Sequence, residues 1–303
     1  MGLKPFRRIH VWRRCRRMPW FTWAGAWPML APTWLRRLLA EHLIPVRREG
    51  DLPLVCFPNG DVVAAPPGTR RPVLEVLTQY QAARYLDHYE ARTALRDGDV
   101  ALDGGAGYGT FTLLASRLVG PAGRVVAIEP VPDSLAALEG TVRANALDNV
   151  SVVRGAVGGR EGTVTIALPR GRYAEATGSA DRAPLGPEVE TFDVPCRTVD
   201  GLVDELALPR VDFIKLNIEG MEEECLRGAA ETLRAHRPRL ALSLAHLDDD
   251  AARLPAVLRD LEPSYVTAIS SVSRLCQAPP VLLAAPDGVW GRGDNPLLLR
   301  TGD

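Results

Sequence analysis

The sequence predicts an α/β protein built on a parallel, doubly wound sheet. From Gly98 onward, short apolar runs alternate with stretches of helical periodicity. The first run (Val100, Ala101, Leu102) ends in Asp103 and a glycine-dense turn that opens an amphipathic stretch over 110–119. The second (Val125, Val126, Ala127, Ile128) ends in Glu129-Pro130. Strand, tight turn and helix N-terminus together make a nucleotide-holding device, because glycine lets the backbone approach a ligand that a side chain would block.

The remaining elements follow from the same periodicities. Apolar residues from Leu52 to Phe57, the turn Pro58-Asn59-Gly60-Asp61 and the run from Val62 to Ala65 read as a hairpin. Helical spacing of Leu74, Leu77, Ala82, Tyr85, Leu86 and Tyr89 predicts a helix over 73–95. Strand 99–103 leads to helix 109–119, and strand 124–129 to helix 132–146. Strands follow at 150–156, 162–168 and 191–197, then a helix at 199–207. Next come strand 211–217, helix 221–236, strand 239–244, helix 248–261, and closing strands near 264–270 and 280–285. Residues 169–190, with Gly171, Gly178, Pro184, Gly186 and Pro187, form the one long irregular stretch, the kind of loop that often serves as a lid.

The motif at the first strand tip selects a ligand. Asp103, Gly105, Gly107 and Gly109 read D-x-G-x-G-x-G, not the G-x-G-x-x-G that places a dinucleotide pyrophosphate on a helix N-terminus. A carboxylate at that tip repels a diphosphate and suits a cationic amino-acid moiety. S-adenosyl-L-methionine carries an ammonium and a sulfonium, so the spacing favours it over NAD. Glu129, about twenty residues beyond the glycine turn, is placed to accept hydrogen bonds from both ribose hydroxyls. Asp103 is expected at the amino-acid end of the cofactor, with Tyr108 and Pro130 beside it.

Charge is unevenly distributed. The net charge is −1, yet residues 1–50 carry eleven Lys or Arg against Glu41 and Glu49, which leaves −10 for the rest. Trp12, Trp20, Trp23, Trp27 and Trp34 lie among these arginines. The apolar stretch after Arg17 is broken by Pro19 and Pro28 and too short to span a bilayer. It suits an interfacial element on an anionic membrane surface, an extension packed on the body, or, less well, a nucleic-acid contact. The expected organisation is a basic, Trp-rich extension over 1–50, a hairpin and linker over 51–72, and the main domain over 73–303. Five cysteines, with no C-x-x-C pair, suggest a reducing compartment and a cytoplasmic protein, peripheral at a membrane if the head docks there. Cys196 follows Pro195 as in cytosine C5-methylating enzymes, but its strand context favours a buried structural thiol.

The fourth strand of the alternation, beside the first by topology, ends in Ile214-Lys215-Leu216-Asn217-Ile218-Glu219-Gly220. Lys215 is one of only two lysines in a chain with 34 arginines, which suggests that a compact ammonium is needed inside this apolar strand. The box D-x-I-K-x-x-x-E-G-x-E that begins at Asp212, together with D-x-G-x-G-x-G, Ile128-Glu129-Pro130, the segment from Asn145 to Val150 and Ala156-Val157-Gly158, resembles the FkbM family of S-adenosylmethionine-dependent methyltransferases. The resemblance spans about residues 75–285. It implies a Rossmann-like class I methyltransferase fold, a mostly parallel seven-stranded sheet with helices on both faces, plus the N-terminal extension. It also implies S-adenosyl-L-methionine as cofactor, with Ala156 and Asn217 joining the residues above around it. This chain departs from the family at Asn217, where an Asp is usual, and an amide does not accept protons near neutral pH.

The expected chemistry is O-methylation of a hydroxyl on a small-molecule, sugar or glycolipid acceptor. A hydroxyl is a weak nucleophile at neutral pH and needs a base. His246, after strand 239–244, has the ordinary pKa for that task, with Glu219 and Lys215 as the other candidate catalytic groups. No metal is expected. The N-P-P-Y type of box for base amino groups is absent, which argues against nucleic acid. Two other readings remain: an NAD-dependent oxidoreductase, and a membrane-held cofactor-binding scaffold without turnover.

Overall fold

The computed structural model describes residues 44–81, 83, 89, 94–169, 176–178, 188–270, 280–289 and 299–300. Fourteen strands are described. Of these, β4 (Val100–Gly104), β5 (Arg124–Glu129), β6 (Val150–Arg154), β10 (Phe213–Leu216) and β11 (Arg239–Ser243) form a parallel set in the order β11-β10-β4-β5-β6. Strand β13 (Val281–Pro286) runs antiparallel between β11 and β12 (Tyr265–Ile269). These seven strands match the number that the resemblance implies, and the two-residue β14 (Leu299–Arg300) adds an eighth at the β12 edge. The order reverses between β4 and β10, and in an open α/β sheet the crevice above such a point is where ligands sit.

Alternation along the central strands explains the helices on both faces. Leu102, Val126, Ile128, Ile214 and Leu216 point one way, against Leu202 of α4 (Val199–Glu205), Leu226 of α5 (Glu222–Arg227), Leu233 of α6 (Ala230–His236) and Leu258 of α7 (Asp250–Leu261). Ala101, Phe213, Ala241 and Leu283 point the other way, against Phe111, Leu114 and Ala115 of α2 (Thr110–Val119). Helix α3 (Pro132–Ala144) starts with proline at its first position, which costs no helical hydrogen bond there.

Several sequence expectations are corrected by long-range packing. The run 150–156 divides: β6 stays in the main sheet, and β7 (Ala156–Val157) leaves it to join β9 (Val189–Arg197) and β8 (Gly162–Pro169) in a separate sheet of order β7-β9-β8. The helix expected over 221–236 is two helices, broken at Gly228. A Cβ there would lie 2.3 Å from the Gly158 carbonyl oxygen, so the backbones meet too closely for a side chain. Strand β1 (Val46–Glu49) extends the hairpin of β2 (Leu52–Cys56) and β3 (Val62–Ala64) into a three-stranded meander, so the boundary expected at residue 50 falls inside a sheet. Residues 1–43 lie outside the described residues, as does most of 82–93 in the expected helix, whose described part is α1 (Pro72–Gln81). Of the irregular stretch, 170–175 and 179–187 also lie outside.

The meander is docked by polar groups. Asn145 bonds both ways to Val62, with its Nδ2 donating to the carbonyl and its Oδ1 accepting from the amide. The Thr141 hydroxyl accepts from Ala64 N–H and donates to the Tyr108 carbonyl, joining meander, α3 and glycine turn through one atom. Val55, Val63, Val76, Tyr80 and Tyr108 close a second core beneath.

Candidate active site

Three glycines of the turn after β4 take left-handed backbone, and they do so for different reasons: φ is 71° at Gly105, 56° at Gly107 and 81° at Gly109. A Cβ at Gly105 would lie 2.1 Å from the carbonyl oxygen of Asn217, so this glycine exists to let the turn pack on the loop after β10. At Gly109, which starts α2, it would strike Leu138. At Gly107 the nearest atom is Gln79 Oε1, 3.7 Å away, so this is the glycine whose missing side chain leaves open space. The turn hangs from the second strand: Gly105 and Ala106 N–H donate to the Ile128 carbonyl at 3.1 and 3.0 Å. Helix α2 begins with no side-chain cap and no acid in its first turn, an arrangement that favours a ligand anion over a protein one.

Glu129 lies at the tip of β5, nearly buried. Its Oε2 accepts from Gly107 N–H at 2.8 Å and its Oε1 from Val131 N–H at 2.9 Å, across the turn through Pro130. Burial pushes its pKa up to about 7, against the pull of those two amides and of Lys215.

Asp103 and Lys215 pair beneath the turn. Lys215 uses all three ammonium protons: on Asp103 Oδ1 at 2.8 Å, the Gly104 carbonyl at 3.1 Å and the Gly105 carbonyl at 2.7 Å. It also lies 5.4 Å from the Tyr89 ring centroid and 5.8 Å from that of Phe111. The Thr112 hydroxyl donates to Asp103 Oδ2 at 2.5 Å. Both charges are buried. Asp103, expected at the cofactor's amino-acid end, has each oxygen engaged inside the protein, and Lys215, expected among the catalytic groups, braces the turn. The requirement for a compact ammonium is met by three acceptors that converge on one nitrogen, which a planar guanidinium cannot satisfy.

The loop after β10 carries the second group of charges. Glu222, at the start of α5, accepts from Ile218 N–H at 2.9 Å and Gly220 N–H at 3.0 Å, fixing the residues on either side of Glu219. Glu219 has φ 57°, unusual for a residue other than glycine. His246, beyond β11, is clamped between the two acids, with Nδ1 2.8 Å from Glu222 Oε1 and Nε2 3.1 Å from Glu219 Oε1. Burial lowers its pKa, but hydrogen bonds to Glu219 and Glu222 and their charges more than offset this and raise it to about 9. His246 is therefore an imidazolium at neutral pH, with both nitrogens engaged. A general base needs a free lone pair, so this arrangement favours His246 as an orienting group over the base expected from the sequence.

The other expected site residues divide. The Tyr108 side chain is core: it packs with the meander and donates its hydroxyl to Glu75 Oε1 at 2.6 Å. Ala156 packs its methyl among Ile166, Val194 and Cys196 in the second sheet, leaving only its backbone for a ligand. The Asn217 backbone holds the glycine turn, with its N–H donating to the Gly104 carbonyl at 3.1 Å. Cys196 is a buried thiol whose pKa burial pushes up, not a nucleophile. Glu222 went unassigned in the sequence, although it is the last residue of the box; its role depends on contacts that spacing does not reveal.

Residues 103–263 match the Methyltransferase FkbM domain, just over half of the chain. This chain belongs to the FkbM methyltransferase family. The matched segment is thus a methyltransferase domain, and the strand order described above is that of the Rossmann-like class I fold. Among solved structures it is similar to methyltransferase FkbM from Methylobacillus flagellatus, with 20% identity over 70% of this chain and 53% of that one, at a TM-score of 0.47. It thus spans about half the length of that relative. M. jannaschii TYW2 in complex with AdoMet is 15% identical over 79% of this chain and 87% of its own, at a TM-score of 0.45. Aeropyrum pernix fibrillarin with natively bound S-adenosyl-L-methionine is 14% identical over 80% and 98%, at 0.41. No curated protein matches the sequence. Among the described residues of this FkbM-family chain, no helix is long and apolar enough to cross a membrane, and no group of three or more His, Cys, Asp or Glu is arranged to hold a metal ion.

Proposed function

We propose that this FkbM-family enzyme methylates a hydroxyl group of a small-molecule, sugar or glycolipid acceptor, with Glu219 as the proton acceptor. The observation that carries this reading is the Glu219–His246–Glu222 cluster, held at the tips of β10 and β11 beside the glycine turn. Of the three side chains Glu219 is the most accessible, 13% exposed against 4% for His246 and 1% for Glu222. An oxygen acceptor needs its proton removed as it is methylated, and a carboxylate at the accessible end of a buried pair is placed for that. His246, charged, orients Glu219, and Glu222 orients His246.

The residues present fit the cofactor: open space at Gly107, an uncapped α2, and the Glu129 carboxylate beside both. When bound there, S-adenosylmethionine supplies the methyl group from its sulfonium. Glu129 would accept from the ribose hydroxyls, and the turn and start of α2 would receive the carboxylate of the amino-acid end. The Asp103–Lys215 pair keeps the turn rigid, and rigid alignment is itself worth several kcal/mol of the barrier.

The test is transfer of a labelled methyl group from S-adenosylmethionine to a panel of sugar, polyol, phenol and amine acceptors. The proposal expects turnover on hydroxyl acceptors, with the label on oxygen. Label found only on nitrogen or carbon acceptors would contradict it.

A further inference from the structure

We infer that Thr177 is a positioning residue of this site, holding the backbone of Glu219 so that its carboxylate stays on His246. Thr177 is almost wholly buried. Its backbone is bridged to Ala167 of β8 in both directions, Ala167 N–H donating at 2.8 Å and Thr177 N–H at 3.0 Å. With the backbone so fixed, its hydroxyl donates to the Glu219 carbonyl at 2.5 Å. The neighbouring residue packs on the same loop: a Cβ on Gly178 would come within 2.8 Å of Met221 Sδ.

The position matters because Glu219 is strained. A left-handed residue with a Cβ is disfavoured by its own sterics and persists only where its surroundings fix it. Glu222 pins the amides of Ile218 and Gly220, on either side, and Thr177 takes the carbonyl of Glu219 itself. Release of that carbonyl lets the peptide rotate and draws the Glu219 carboxylate off His246 Nε2. The second sheet is thereby coupled to the charge cluster through one hydroxyl group.

The inference rests on the reading of Glu219 and His246 as the working cluster, and its test reads that cluster without turnover. The groups facing the His246 ring are Glu219, Glu222 and the Ser243 hydroxyl, 3.5 Å from Nε2. Tyr89, also near both acids, is held neutral by burial. The imidazole of His246 is titrated by NMR in the intact chain, in Thr177→Val and in Thr177→Ser, its resonance assigned by its loss in His246→Gln. Wild type is expected to titrate near pH 9. In Thr177→Val the proton affinity of His246 should fall by about three- to tenfold, because one of its two carboxylates is no longer held, whereas Thr177→Ser should stay within about twofold. If Thr177→Val does not fold, Thr177→Ala removes the same hydroxyl with less demand on packing. An unshifted titration in the folded hydroxyl-less variant, or an equal fall in Thr177→Ser, overturns the inference while leaving the cluster intact. A wild-type midpoint near 6.5 overturns the cluster and the inference together.

Discussion

Lys215→Met should destabilise the fold by about 3–5 kcal/mol, the cost of leaving a buried carboxylate without its partner. Asp103 has no exposed surface, and after the substitution the Thr112 hydroxyl is the one side-chain partner left to it among the described residues. The loss is larger than that of one ion pair, because the same ammonium also satisfies the Gly104 and Gly105 carbonyls where the turn leaves β4. Lys215→Arg is expected to fail nearly as badly. Three acceptors at 2.7–3.1 Å converge on a single nitrogen between the Tyr89 and Phe111 rings, and a planar fork cannot occupy that point. The double substitution Asp103→Leu with Lys215→Met should recover part of the stability, since two apolar groups avoid the unpaired charge. Denaturant unfolding of the four proteins measures this. A loss below about 1 kcal/mol in Lys215→Met, typical of an exposed pair, would contradict the account.

Glu219→Gln should lower kcat by about a hundred- to ten-thousand-fold on the hydroxyl acceptor found in the panel, the usual worth of a positioned base. The amide is isosteric and can still bond His246, so the left-handed backbone and the cofactor cradle should survive. Affinity for S-adenosylmethionine should therefore hold. The two carboxylates are thus not equivalent: Glu222→Gln weakens the bonds to Ile218 and Gly220 N–H and should cost folding stability as well as rate. Near-normal kcat in Glu219→Gln would place the proton acceptor elsewhere.

Much of the fold was legible because it is written in local periodicity. The apolar runs ending in Asp103 and Glu129 mark the two strand tips, and the βα alternation alone places β10 beside β4. What could not be read is what depends on distant partners. Gly228 looks like any helical glycine until the Gly158 carbonyl is found against it. The strands at 162–168 and 191–197 have the expected type, but no periodicity states which sheet a strand joins. The same limit applies to the site. His246 looks like a free base in sequence, and the two carboxylates that raise its proton affinity are brought to it by long-range packing, including that of α5 against α7. Lys215 was legible as a required ammonium from its rarity among arginines, yet its three acceptors lie more than a hundred residues earlier.

Calorimetric titration of S-adenosylmethionine into the intact chain and into Glu129→Gln, at pH 6, 7 and 8, tests the central claim that the glycine turn and Glu129 form the cofactor cradle. Burial raises Glu129 to about 7 in the free protein, and the ionised form is the one that accepts from ribose hydroxyls. Wild-type affinity should therefore strengthen as pH rises through 7. Comparison with Glu129→Gln cancels the titration of the cofactor's own amine. The ratio of wild-type to variant affinity should widen by roughly tenfold between pH 6 and 8, as the ionised fraction of a group with that pKa does. NAD should not bind. A ratio that stays constant across this range, or NAD binding as tightly as S-adenosylmethionine, would contradict it.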